Sequence, residues 1–225
     1  MRANGKSRFN AFGAVTVGGT LLGSATGPIN AAGQLISVPG TLNLNGGSAT
    51  ATNVSVTGLL KGIGTVNGNV NNSGTVAPGT SPGIINIIGN YTQTTSGILQ
   101  IEIGGTVPGS GYDQLAVTGN AALAGTLLIS QFGGFVPASS DTFQAVTAGG
   151  AVSGSFGSVI APAAFPGFGA SYLSQAVQLA SGAALTSGLI SSSLDPQVVK
   201  EDKNIFDQVS DEGDILKRQE YLICN

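Results

Sequence analysis

Along most of the chain, apolar residues alternate with polar ones in short runs. Leu42 and Leu44 do so, as do Val54 and Val56, and Leu99, Ile101 and Ile103. A period of two sends one set of side chains inward and the other outward, which is the mark of a β-strand. The pattern predicts that Leu99, Ile101 and Ile103 face a core while Gln100 and Glu102 face out, because a one-residue slip would bury the carboxylate. Strands are expected near 84–93, 97–103, 114–117, 121–130, 142–148 and 172–179. Asn45-Gly46 and Asn67-Gly68 punctuate the runs as turns, since both residue types tolerate positive φ. Asn67, Asn69, Asn71 and Asn72 fall within six residues. In a stacked coil such amides would hydrogen-bond the backbone at corners.

The phrase Gly-Thr-Leu/Val begins at Gly19, Gly40, Gly64, Gly74, Gly105 and Gly125, at spacings of 21, 24, 10, 31 and 20. A period near 20–24 marks a β-solenoid, in which each repeat is one rung that buries its apolar side by stacking. Between Gly13 and Gln131 the only aromatics are Tyr91 and Tyr112, so the filling is small and aliphatic. Phe132, Phe135, Phe143, Phe156, Phe165, Phe168 and Tyr172 then crowd into 41 residues. Side chains of that size need a wider core. Residues 1–83 are therefore expected to form solenoid rungs, and 84–182 a compact β cap that protects the open edge of the last rung. Residues 183–225 are expected to be a linker and a partly helical tail. Asp195-Pro196 suits a helix start, and Val198, Val199, Ile205, Phe206 and Val209 recur at helical spacing.

Charge changes the picture. Between residues 9 and 199 only Lys61, Glu102, Asp113, Asp141 and Asp195 are charged, whereas residues 200–225 carry eleven charged side chains. A soluble domain is typically about a quarter charged. The wet surface of this chain must consist of hydroxyls, amides and backbone. With a net charge of −3 and no basic patch, nucleic-acid binding through phosphate neutralisation is excluded. There is no His and one Cys, Cys224, so neither an intrachain disulfide nor a Cys/His metal site can form. No stretch approaches 20 predominantly apolar residues, so no transmembrane helix is expected. Arg2, Lys6 and Arg8, followed by a mildly apolar stretch and Gly23-Ser24-Ala25, outline a targeting segment over 1–27; the other reading is the first rung of the repeat.

Candidate chemistry is sparse. Glu102 and Asp113 are the one acidic pair in the β region that adjacent strands could bring together, and paired carboxylates are the glycosidase arrangement. No Arg, Lys or His lies between residues 62 and 199 to assist them. Asp113 also follows Tyr112 at a Gly-rich turn, where Asp bonds nearby backbone. Asp207, Asp211, Glu212 and Asp214 surround Gly213 without the ligand spacing of a calcium loop. Asn53-Val-Ser55, Asn71-Asn-Ser73 and Asn90-Tyr-Thr92 match the glycosylation sequon, which an Asn-rich chain meets by chance. No catalytic, cofactor-binding or metal-binding residue is assigned, and the chain is expected to be non-enzymatic.

One series of motifs stands out: Gly74-Thr-Val-Ala-Pro-Gly-Thr-Ser-Pro-Gly83, Gly89-Asn-Tyr-Thr-Gln93, Gly97-Ile-Leu-Gln-Ile-Glu-Ile-Gly-Gly105, Tyr112-Asp-Gln-Leu-Ala-Val-Thr-Gly119 and Ala122-Leu-Ala-Gly-Thr-Leu127. Gly154-Ser-Phe-Gly157 and the strand with Tyr172, Val177 and Leu179 continue it. Together they resemble the C-terminal part of passenger domains of bacterial autotransporters and filamentous-haemagglutinin-like surface proteins. The resemblance covers about residues 60–180. It implies a right-handed parallel β-helix, secreted or held at the bacterial cell surface, serving as a structural or adhesive segment. Its implied partners are the upstream rungs of a longer passenger and a host or cell-surface receptor or glycan. The alternatives it leaves are a polysaccharide-cleaving β-helix enzyme and a folding-promoting cap. No set of alternating ten-residue strands follows Leu179, so no membrane barrel is expected there, and the chain reads as a portion of a longer surface protein.

Overall fold

The computed structural model describes residues 9–23 and 28–182, and these consist of strands and turns without helix. The helices expected in the tail, the acidic cluster around Gly213, and both ends of the 1–27 segment lie outside the described residues.

The strands fall into two sheets that the chain visits in turn. The first pass comprises β1 (Phe9–Asn10), β2 (Val15–Thr16) and β3 (Thr20–Leu22). The next three are β4 (Ile29–Val38) with β5 (Thr41–Asn43), β6 (Ser48–Val56) with β7 (Leu59–Gly62), and β8 (Gly64–Asn72) with β9 (Thr75–Pro78). Two passes of three strands follow: β10 (Ile84–Ile88), β11 (Tyr91–Gln93) and β12 (Ile98–Ile103), then β13 (Gln114–Val117), β14 (Ala121–Leu123) and β15 (Thr126–Gln131). The last pass is β16 (Thr142–Ala148), β17 (Val152–Gly154) and β18 (Ser158–Ile160). Within each sheet every pass pairs in parallel with the next, in the second sheet from β3 through β5, β7, β9, β12 and β15 to β18. In the first sheet the pairing turns antiparallel only after β16, where β19 (Phe168–Tyr172) and β20 (Ala176–Ser181) form a hairpin against it.

The alternation seen in the sequence becomes columns of like residues. Leu42, Leu60, Val76, Leu99 and Leu127 stand in register and are all fully buried. Ile101 and Ile103 are likewise buried while Gln100 and Glu102 are not, the register that the carboxylate demanded. Each added pass thus extends one apolar column.

The repeated phrase is only partly the structural repeat. Gly19, Gly40, Gly74 and Gly125 occupy one column, completed by Gly58 and Gly97. Each carbonyl accepts a hydrogen bond from the residue after the glycine of the next pass, as in Leu59 N to Gly40 O at 2.8 Å and Thr75 N to Gly58 O at 2.8 Å. A Cβ on Gly58 or Gly74 would run into the glycine carbonyl of the preceding pass. Gly64-Thr65-Val66, by contrast, opens β8 in the first sheet, and Gly105-Thr106-Val107 lies in a loop. A chain this rich in Gly and Thr repeats the phrase where no structural equivalence exists.

Three expected strands are interrupted. Residues 121–130 break at Ala124–Gly125, where the φ of Gly125 is +68° and the chain passes from β14 in the first sheet to β15 in the second. Residues 84–93 bend at Gly89, where φ is +153° and a Cβ would press on the Gly68 backbone, so β10 and β11 are separate. Residues 172–179 cross the turn of the terminal hairpin, because Leu173 N bonds Ala176 O. Aromatic filling gathers at that end. Phe143 meets Tyr112 edge-on at 5.3 Å and tilts against Phe168 at 5.8 Å, and Phe156 packs on Tyr172 at 6.2 Å. Phe132 departs from the expectation of a buried aromatic: it stands exposed on a loop.

Candidate functional site

Between the second sheet and the first, the chain turns a corner once per pass. From β7 to β8 that corner is Ile63 alone; later it is 79–83, then 104–113, then 132–141. The pass length grows with it, from 16 residues between Leu59 and Thr75 to 32 between Thr126 and Ser158. Loops carried on a rigid stack are where binding residues concentrate, and four of the large exposed apolar side chains stand here. They are Ile63, Val107 (58 %), Phe132 (42 %) and Val136 (59 %).

These loops hold one another. A Cβ on Gly83 would meet the Ile63 side chain at 2.5 Å, and one on Gly104 would meet the Phe132 ring at 2.7 Å. Tyr112 bridges to Ile103 and Pro108, and its hydroxyl accepts a hydrogen bond from Gln144 N at 3.3 Å. Gln131 Nε2 donates to Phe135 O at 2.9 Å, and Asp141 Oδ2 accepts from Ala138 N at 2.8 Å.

Asp113 sits beneath the corner and is 1 % exposed. Its Oδ1 accepts from Gly83 N at 2.7 Å and its Oδ2 from Glu102 N at 2.8 Å, while its own amide donates to Glu102 O at 2.9 Å. One carboxyl therefore ties loop 79–83 to the end of β12. Burial pushes its pKa up to about 7; the two amide donors pull against that, and the nearby Glu102 carboxylate adds to the rise. The structure does bring Glu102 and Asp113 together, through backbone rather than as two carboxylates facing a cleft. Buried and with one amide donor on each oxygen, Asp113 is not presented to a substrate or an attacking water.

A second polar group lies inside the stack. Asn72, Tyr91 and Gln93 are all buried. The Tyr91 hydroxyl donates to Gln93 Oε1 at 2.6 Å, Asn72 Nδ2 reaches both Tyr91 Oη at 3.1 Å and Gln93 Oε1 at 3.2 Å, and Gln93 Nε2 donates to Ala124 O at 2.9 Å. Asn72 Oδ1 alone has no partner. Burial drives the Tyr91 pKa upward, outweighing the Asn72 hydrogen bond.

The outer face of the first sheet is largely amide and hydroxyl, interrupted by the exposed Leu35 on β4 and Ile88 on β10. Asn53, Asn69, Asn90 and Asn120 form a ladder at the bend, one per pass. Asn69 Nδ2 donates to Asn53 Oδ1 at 3.2 Å; Asn90 N, Asn120 N and Ala151 N donate to the amide oxygens of Asn69, Asn90 and Asn120 at 2.9, 2.8 and 2.9 Å. Beside it, Ser37, Ser55, Asn71 and Thr92 stand in register. No charged residue lies on this face among the described residues. Of the Asn cluster noted in the sequence, Asn69 alone belongs to the ladder; Asn67 bonds Thr50 and Asn72 is buried. The corner had a weaker signal, the irregular spacings of 10 and 31 in the repeated phrase. The members of the buried triad stood in the Asn cluster and the Gly89–Gln93 motif, but nothing in the sequence signalled that they meet inside the stack.

No family model matches the chain, and no curated protein matches it.

Proposed function

We propose that the chain is a non-catalytic structural and adhesive segment of a secreted or cell-surface bacterial protein, built as a right-handed parallel β-solenoid closed at one end by the β19–β20 hairpin. The passenger regions of autotransporters and filamentous-haemagglutinin-like proteins are the class it resembles. The observation that carries this reading is the uncharged outer face of the first sheet, where one Asn, Ser or Thr per pass recurs along a stiff stack. Such a face contributes many weak, equivalent hydrogen bonds, and its recognition of a receptor or glycan rests on repetition. The enzymatic alternative is disfavoured by the double engagement of Asp113.

The test compares chain displayed in many copies on beads with free monomer, on bacterial and host cell surfaces across a salt series. Multivalent binding that persists at high salt, with weak monomer binding, is expected, because uncharged contacts are not screened. Turnover of a glycan that disappears in a folded Glu102→Gln/Asp113→Asn double variant would sink the reading.

A further inference from the structure

Asp113 is the one buried carboxyl among the described residues, and its two oxygens serve two different parts of the corner. Oδ1 holds Gly83, thirty positions away, and Oδ2 holds Glu102, eleven away. The elements around it supply no counter-charge. Loop 79–83 has no titratable side chain, β13 and β16 have none, and β12 contributes Glu102, of like sign. In loop 104–112 the titratable group is Tyr112, whose hydroxyl is turned to Gln144 N. Asp141 is occupied with Ala138 N on loop 132–141, and Lys61 lies on β7. A carboxylate here would be buried, unpaired and beside another carboxylate. The two amides favour the carboxylate, but burial outweighs them: the neutral acid escapes the desolvation and like-charge costs and still keeps an acceptor lone pair on each oxygen for the two amides.

We propose that Asp113 is a proton-operated fastener of the corner: uncharged, it holds loop 79–83 against the end of β12, and on ionising it loosens both. Burial places the folded pKa at about 7, above the ordinary 3.8. A raised folded pKa means that the folded state binds the proton more tightly. The stabilisation is complete below about pH 4 and is lost as pH rises through about 7. Loosening frees the segment that presents Val107 and the support beneath Ile63, so the apolar corner changes shape across the neutral range. This inference does not depend on the adhesive reading.

The test is nuclear magnetic resonance of the full chain between about pH 5 and 9. The Gly83 and Glu102 amide signals are expected to titrate together with a midpoint near 7, and their exchange protection is expected to fall above it relative to Thr75 and Leu59 amides in the second sheet. Asp113→Asn is expected to abolish the shared titration. Glu102→Gln, which keeps the backbone donor and removes the like charge, is expected to move the midpoint downward; it decides the matter if the Asn variant does not fold. A midpoint below about 5, two amides that titrate independently, or an unchanged midpoint in Glu102→Gln would overturn the proposal.

Discussion

Asn90 illustrates how far a single side chain reaches in this fold. Its side-chain oxygen accepts from Asn120 N in the next pass, while its backbone N–H donates to Asn69 Oδ1 in the previous one. The ladder is at the surface, so an abandoned amide regains water. Asn90→Ala should cost only about 0.5–1.5 kcal/mol in urea unfolding. Tyr91 is the opposite case. Its hydroxyl is buried and joins Asn72 and Gln93, so Tyr91→Phe leaves polar atoms without water or partner. That substitution should cost more, about 1–3 kcal/mol, and an unchanged midpoint would show that the triad contributes nothing to stability. Because burial raises its pKa, Tyr91 should stay protonated in an alkaline ultraviolet titration until the chain unfolds. The sequence placed Asp113 in a turn bonding nearby backbone. Its acceptor role at Gly83 was invisible there, since a partner thirty positions away is brought close only by stacking.

At the scale of the strand, the inward and outward sets of β12 were legible from alternation alone. Ile101→Ala should lose about 2–5 kcal/mol by opening a cavity, whereas Glu102→Gln should lose little; the reverse order in denaturant melts would show an inverted register. The glycine column makes a second prediction. Gly74→Ala would force a Cβ onto the Gly58 carbonyl, and overpacking of this kind costs about 1–3 kcal/mol. Gly18→Ala, with open space around it, should leave the melting temperature near that of the parent. Strand ends were less legible. The breaks at Gly89 and Gly125 depend on close backbone approaches from neighbouring passes, which a window of ten residues does not contain, whereas the break at Leu173 is a local turn closed by Ala176 O.

For the whole molecule, the reversal of strand direction at β20 is the main asymmetry. β19 and β20 cover β16, which would otherwise present an unpaired edge of the first sheet. A chain ending at residue 164 loses that cover together with Phe168 and Tyr172, the partners of Phe143 and Phe156, and with Phe165, which packs on Phe168. It should associate through its bare edge, with an early-eluting species in size-exclusion chromatography where the longer chain elutes in a later, sharper peak. A truncated chain that stays as compact and dispersed as the parent would remove the hairpin's capping role.

The all-β character, the stacked repeat and the uncharged surface were determined by the sequence itself. Period-two alternation, Gly and Asn at turns, and five charges across residues 9–199 are local or compositional properties, and they survive without knowing any contact. Which glycines are equivalent, where the corner loops collect, and that one carboxyl fastens two of them were decided by tertiary structure. Those relations join residues 11 to 32 positions apart, and the spacing between passes first shortens from 21 to 16 and then lengthens to 32. A fixed period cannot follow a repeat of changing length, because the extra residues enter between the hydrogen-bonded columns, mostly at one corner, while the columns themselves stay in register.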